Sequence, residues 1–303
     1  MVIMSQSVNN AFVQQFKSNL ELLVQQKGSI LLPVVRPEKI TGKFTHFDRL
    51  GSGEASEVLS RHGDTPDPLN LAHSRRRCIL RTFDAAELVD NADKVRMLID
   101  PTSEYSMSIS YALGRKADDI ILSALYGNAY SVDADDAQTS VELGAGQIVD
   151  EDTGTTNSDL IVAKLRAARK KFMQNNVDIQ AEQPILVHDG MAITDGLLTE
   201  TSVTSADYNT VKALVNGEVN TFMGFRFVHC ERLAQSAHKT SESFVRAIVF
   251  VPSAIGVAVG RDMNVRISER DDKRYSTQVY GAMDIGAVRR QEEKVVVIEC
   301  YRT

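Results

Sequence analysis

The segment Lys43-Phe44-Thr45-His46-Phe47-Asp48-Arg49-Leu50 suits a strand, and so does the return from His73 to Phe83. Between them lie Gly51-Ser52-Gly53-Glu54-Ala55-Ser56-Glu57 and His62-Gly63-Asp64-Thr65-Pro66-Asp67-Pro68. Too few apolar residues occur there to build a core. An isolated two-stranded hairpin is marginal in water. So long a connection is uncommon inside a compact domain, and where it occurs it is functional or disordered. Two readings follow for residues 41–83: a surface loop, or a projecting hairpin held by another subunit.

Upstream, Phe12, Phe16, Leu20 and Leu23 recur at helical spacing, with a cap at Asn9 or Asn10 and a stop at Gly28. Ser29 to Pro37 carries Pro33 and Pro37, which predicts an extended arm and not a core element.

Downstream the pattern becomes globular. Asp100-Pro101-Thr102-Ser103 opens a helix carrying Ile109, Leu113, Ala117, Ile120, Ile121, Ala124 and Leu125, ended by Gly127-Asn128. Residues 131–156 read as loop or short strands. A second helix over 158–175 has Asn157 or Ser158 as cap and Asp159 at the positive end of its dipole. Ile161, Leu165, Ala168 and Phe172 form its stripe; Lys164, Arg166, Arg169, Lys170 and Lys171 cover the other faces. By itself such a basic face is an ordinary solvated surface.

Strands are expected at 184–188, 225–228, 246–251, 255–259, 265–269 and 294–300, with helical stretches at 191–198 and 206–214. Val295-Val296-Val297-Ile298 is apolar enough for a central strand. The mixture reads as α+β.

Composition narrows the function. With 34 Lys plus Arg and 40 Asp plus Glu, the charge is −6 over 303 residues, which disfavours a dedicated duplex-DNA reader. Aromatic residues are 6% and Trp is absent, so base-stacking platforms are thin. No run approaches the roughly 18 apolar residues that cross a bilayer, and no membrane partner is expected. The start, Met1-Val2-Ile3-Met4-Ser5, lacks the pattern of a secretory signal. Cys78, Cys230 and Cys300 show no CxxC spacing and fit buried thiols in a reducing compartment.

Familiar catalytic patterns are missing. There is no phosphate-binding GxxxxGK[ST], no dinucleotide GxGxxG after a strand and no GxSxG elbow. His46, His62, His73, His188, His229 and His238 follow neither HExxH nor HxH spacing. His188-Asp189 reads as a loop dyad at a strand end. His229 and Cys230 are adjacent on a strand and point to opposite faces. Asp118-Asp119, Asp135-Asp136 and Asp271-Asp272 read as solvated pairs. No catalytic residue, metal ligand or cofactor is assigned.

Taken in order, a helical arm, an extended Pro-containing arm, a charged hairpin, an amphipathic helix, a basic helix and a mixed C-terminal region resemble a tailed-bacteriophage major capsid protein of the Hong Kong 97-like fold. The most specific stretches are Tyr111-Ala112-Leu113-Gly114-Arg115-Lys116-Ala117-Asp118-Asp119, Thr204-Ser205-Ala206-Asp207-Tyr208-Asn209, Gly224-Phe225, Ala254-Ile255-Gly256-Val257-Ala258 and Tyr280-Gly281-Ala282. The resemblance implies an N-arm at 1–40, an E-loop at 41–83 and a peripheral domain at 84–183 with its spine helix at 158–175. It further implies an axial domain at 184–262 and shared C-terminal strands at 263–303. The implied function is a structural subunit, not an enzyme, that forms pentamers and hexamers of an icosahedral shell around double-stranded phage DNA.

The implied partners are further copies of the chain, a separate scaffolding protein, a portal protein and packaged DNA touched weakly and non-specifically. A cement or decoration protein is left open. The implied location is the virion capsid, assembled in the host bacterial cytoplasm. Lys43 lies at the hairpin base, but no Asn follows Asn264, so isopeptide cross-linking is not expected. Glu54, Glu57, Asp64 and Asp67 at the hairpin tip are expected to lie over Arg166, Arg169, Lys170 and Lys171 of an adjacent subunit, with Arg75, Arg76 and Arg77 a second contact. The alternatives are an encapsulin-like compartment shell and an enzyme of unrecognised α+β fold around His188 and Asp189.

Overall fold

The computed structural model describes residues 25–55, 57, 69–89, 102–132, 137–155, 157–197, 221–233 and 244–301. The expected arm helix, the tip residues 58–68, the Asp100-Pro101 cap and the 206–214 helix lie outside these residues. The chain divides into two units, one of Met1–Ser29, Thr82–Arg115 and Arg261–Asp284, the other of Ile30–Arg81, Lys116–Gly260 and Ile285–Thr303.

The larger unit is organised by a six-stranded sheet. Its order is β7 (Ile148–Val149), β14 (Val295–Tyr301), β11 (Phe244–Phe250), β8 (Ile185–His188), β10 (Phe225–His229), β9 (Thr221–Phe222). β11 and β14 pair antiparallel from Phe244↔Tyr301 to Phe250↔Val295. Val295 to Cys300 are all buried, as the apolar run predicts for an inner strand covered on both faces. Helix α2 (Val162–Gln174) buries Leu165, Ala168 and Phe172 in one cluster with Leu186, Phe225, Phe227, Val249, Val296 and Ile298. Alternate strand residues point to one face, so Ala247, Val249 and Val251 join that cluster.

A second sheet has the order β2 (Phe44–Leu50), β3 (His73–Ile79), β5 (Ala129–Val132), β6 (Gln138–Val141). β2 and β3 form the hairpin, in register from Phe44↔Ile79 to Leu50↔His73. A third has the order β1 (Pro37–Lys39), β12 (Ile255–Arg270), β13 (Ser276–Arg289), β4 (Arg81–Val89). In the smaller unit, Gly281 lies so close to Ile109 of α1 (Thr102–Tyr126) that a Cβ would sit 2.5 Å from its side chain. Arg261 there pairs with Asp284 at 3.2 Å.

Five readings change. Helix α2 starts at Val162, not Ser158, because residues 157–161 serve another bond set. The Ser158 hydroxyl donates to the Glu151 carbonyl, and Ile161 is extended without a side-chain cap. Lys164 is wholly buried, its ammonium donating to the carbonyls of Ser158 and Glu299. The Pro33–Pro37 segment is not a bare arm: Val34 N–H donates to Leu31 C=O at 2.9 Å, and Leu31 and Val35 are core residues. Asp118 is not solvated; it is buried and accepts the amides of Ile30 and Leu31 at 3.0 Å each. The expected 255–259 and 265–269 strands are one, β12, and β13 was not anticipated.

The Leu31 amide is buried and the Ile30 amide part-buried, and leaving one buried amide without its acceptor costs about 1–3 kcal/mol. Asp118→Ala should therefore lower the urea midpoint of the purified chain distinctly. Asp119→Ala, which removes a partly exposed pair with Arg232 at 2.6 Å, should cost at most about 1 kcal/mol.

Candidate assembly surfaces

Helix α2 presents to solvent what its buried stripe leaves over. Arg166, Arg169 and Lys170 are exposed and, with Met173 and Gln174, line a shallow groove. Met173 is 62% exposed, a large apolar side chain set among cations. Arg169 donates to the Met223 carbonyl at 3.0 Å, and Lys171 to the Gly146 carbonyl at 2.6 Å. These two basic chains are partly oriented by the body, and Arg166 and Lys170 share the groove with Arg169.

The hairpin is two-faced, because opposed residues in an antiparallel pair share a side. Phe44, His46, Asp48 and Leu50 face outward with Ile79, Arg77, Arg75 and His73. Phe44, Ile79 and Leu50 are exposed there. Glu54 and Glu57 beyond them are exposed, and Leu69 on the return is 57% exposed. Asp64 and Asp67 lie outside the described residues.

The three arginines of β3 go to different places. Arg75 is exposed and pairs with Asp48 at 3.0 Å. Arg77 lies over the Phe44 ring at 4.2 Å, a cation–π geometry. Arg76 turns inward, is 5% exposed and donates to Glu292 at 2.8 Å. Its charge is thus engaged within its own chain, while Arg75 and Arg77 remain on the outward face. Alternation puts Arg76 on the opposite side of the strand from its two neighbours. The composition of a three-arginine run hides that split.

The region that a catalytic reading would use is occupied by structural bonds. His188 is buried, with Nδ1 2.7 Å from the Asp189 carbonyl. Asp189 accepts the Ala192 amide and so starts the π-helical turn Ala192–Leu197. His229 pairs with Glu231 at 2.7 Å, and the same carboxylate oxygen accepts the Gly190 amide at 2.7 Å. Burial, then the neighbouring His229, pushes His188 down to about 4. Burial raises the Cys78 and Cys300 thiols to about 12, and raises Cys230 as well; all three are free thiols, not thiolates. Carboxylate oxygens of Asp150, Glu151 and Glu299 lie within 4.8 Å of one another. Glu299 also belongs to the surroundings of Lys164, whose ammonium binds its carbonyl. Among the described residues, Asp189 and Glu231 thus accept backbone amides that hold the turn after β8.

The described residues thus offer a hairpin with an exposed face, a basic helix groove, and a His188 and Cys groups that are buried and neutral. Compared by sequence with curated proteins, the chain has no match. It matches the family described as phage capsid protein over residues 8–302, and it belongs to that family. Its fold is shared with the capsid of Ralstonia phage GP4 (TM-score 0.73, 12% identity, 96% of each chain covered). The capsid of cyanophage P-SCSP1u is similarly related (0.72, 17%, 98% of this chain and 95% of that one). Mycobacterium phage Bobi aligns over the full length of both chains (0.65, 16%). The fold is Hong Kong 97-like, the role is that of a structural capsid subunit, and the place of work is the virion shell. Neither the encapsulin-like nor the enzyme reading is favoured.

The folded His188 pKa lies below the unfolded value of 6.5. As pH falls below that value the unfolded chain takes the proton first, so stability is lost between pH 6.5 and about 4. The loss approaches roughly 3 kcal/mol at 1.36 kcal/mol per unit. His188→Gln should flatten that part of the profile in urea titrations run across the interval.

Proposed function

We propose that the chain builds pentamers and hexamers of an icosahedral shell around double-stranded DNA, and that its hairpin is the strap between neighbours. Residues 41–83 would be the E-loop, 158–175 the spine-helix segment and 184–262 the axial domain, with the N-arm at 1–40, the peripheral domain at 84–183 and shared strands at 263–303. The acidic hairpin end, Glu54 and Glu57 with Asp64 and Asp67, would lie over Arg166, Arg169, Lys170 and Lys171 of the adjacent subunit. Arg75 and Arg77 would meet a neighbour on the hairpin's outer face.

One observation carries this reading. The α2 groove combines exposed cations with an exposed Met173, while the hairpin offers the reverse charge beside exposed Leu50 and Leu69. Fixing a backbone residue costs about 1–2 kcal/mol, and a ribbon with so little core needs external contacts to offset that. Exposed ion pairs contribute about 0–1 kcal/mol each, so the charges set register and the apolar contacts add strength. The finer partners belong to the same proposal: scaffolding and portal proteins, assembly in the bacterial cytoplasm, and weak non-specific DNA contact. Many tight phosphate contacts would need a basic excess, and the chain is at −6.

The test is charge exchange. Glu54→Lys with Glu57→Lys should reduce particle yield, seen by negative-stain microscopy and size exclusion of chain co-expressed with its scaffold. Arg166→Glu with Arg169→Glu added should restore part of it. A shell structure with the hairpin end far from every neighbouring α2 would end the proposal.

A further inference from the structure

We infer that the base of the β2–β3 hairpin is a two-part joint, in which Phe47 is a pivot seated in an apolar slot and Glu292 is the lock that fixes the hairpin's angle. The joint lies within one unit of one chain, so it stands whether or not the hairpin docks on a neighbour's α2.

The pivot is mainly apolar, with the Arg290 guanidinium over the Phe47 ring at 5.1 Å. Phe47 and its cross-strand neighbour Cys78 bring the hairpin's inner face into a core cluster with Ala129, Ala258 and Val288. Gly256 forms part of the wall; a Cβ there would lie 2.7 Å from the Phe47 ring, so any side chain would displace it. Apolar contact is non-directional, so Phe47 anchors the ribbon more than it aims it. Backbone pairing between β3 and β5 spans two residue pairs, Arg75↔Val132 and Arg76↔Ser131. That seam is short for holding a seven-residue ribbon at one angle.

Direction comes from Glu292. Its Oε2 accepts from Arg49 of β2 at 3.1 Å, and its Oε1 accepts from Arg76 of β3 at 2.8 Å. Each hairpin strand is therefore gripped by one carboxylate from the body. Arg289 stands 3.6 Å from the same Oε1. Arg289 is wholly buried and donates to the carbonyls of Leu125, Gly127 and Val141. It thus ties the Glu292 site to the C-terminal end of α1, where a cation is favoured, and to β6.

Three guanidiniums share one carboxylate. Among the described residues, Arg76 Nε and Nη1 and Arg289 Nε have no hydrogen-bond partner, so Glu292 is the acceptor on which Arg76 relies there. Removing one partner of a buried ionic group leaves an uncompensated charge, the costly outcome. Here that charge would sit on Arg49 and Arg76, which would repel Arg289 and push the hairpin off its angle while Phe47 kept it attached.

The two parts have separate readouts in the unassembled full chain. Spin labels at Ser52→Cys and Gln174→Cys report the hairpin angle as a distance distribution, since the three native cysteines are buried. Alkylation of Cys78, resolved by peptide mass spectrometry, reports the slot, with Cys230 and Cys300 as controls for global unfolding. Glu292→Gln should broaden the distance distribution severalfold while Cys78 alkylation stays within about twofold of the native rate. Phe47→Ala should speed Cys78 alkylation by about tenfold or more, because opening returns a suppressed thiol to water. Should Glu292→Gln not fold, Arg49→Gln removes the more exposed grip, and the same broadening is expected. An unchanged distance distribution in the variant that folds overturns the inference. So does Cys78 release in a lock variant equal to that in Phe47→Ala.

Discussion

A thirteen-residue helix with one apolar stripe must bury that stripe, and much of the larger unit depends on how α2 does so. Leu165, Ala168 and Phe172 rest on alternate residues of β11 and β14. Both strands are consequently covered and inner to their sheet. The same burial leaves the opposite side of α2 in water, and helical geometry collects Arg166, Arg169, Lys170 and Met173 there. The groove is thus a consequence of core packing: the surface that can meet another subunit is what one amphipathic helix cannot bury.

The hairpin obeys the complementary constraint. Alternation gives a ribbon two faces, but β2 and β3 have apolar residues enough for one anchoring point. Phe47 and Cys78 fill it, and Arg49 and Arg76 on the same side reach past it to Glu292. The outer face keeps Phe44, Leu50, Ile79 and Arg75 exposed, with Arg77 half-buried against Phe44. A ribbon long on surface and short on core is what a shell can use, because each neighbour supplies contacts that the chain lacks.

Elements with strong periodicity were legible in the sequence: α1, α2, the β11 and β14 strands, the hairpin and the α+β class. The failures share a cause. Asp118, Lys164 and Arg76 are polar residues that went inside, and hydrophobicity patterns place such residues outside by default. Each is held by partners distant in sequence, as with Asp118 and the Ile30 and Leu31 amides. Helix α2 began late because Ser158 bonded back to Glu151 instead of capping forward. β13 escaped notice because Ser276 to Arg289 mixes buried Ser, Thr and Gly with apolar residues, blurring the period of two. The α2 surface residues were legible as a basic face, but the inward turn of Arg76 depends on strand register, which a run of three arginines does not reveal.

The distribution of charge follows a division of labour. Within the subunit, acceptors are shared: one carboxylate serves Arg49, Arg76 and Arg289, and one serves two arm amides. Breaking any of these strands a buried charge or amide, so they hold the subunit in one shape. At the exposed groove and the hairpin's outer face the charges are solvated, where each pair contributes about 0–1 kcal/mol and salt screens it. In the proposed shell that weakness is useful. A subunit that lands out of register forms few contacts and leaves, while a correctly seated one gains many at once. Rigid interior ion pairs and weak repeated exterior ones would together let a closed shell form from one chain, because the first fix the angle at which the second must meet.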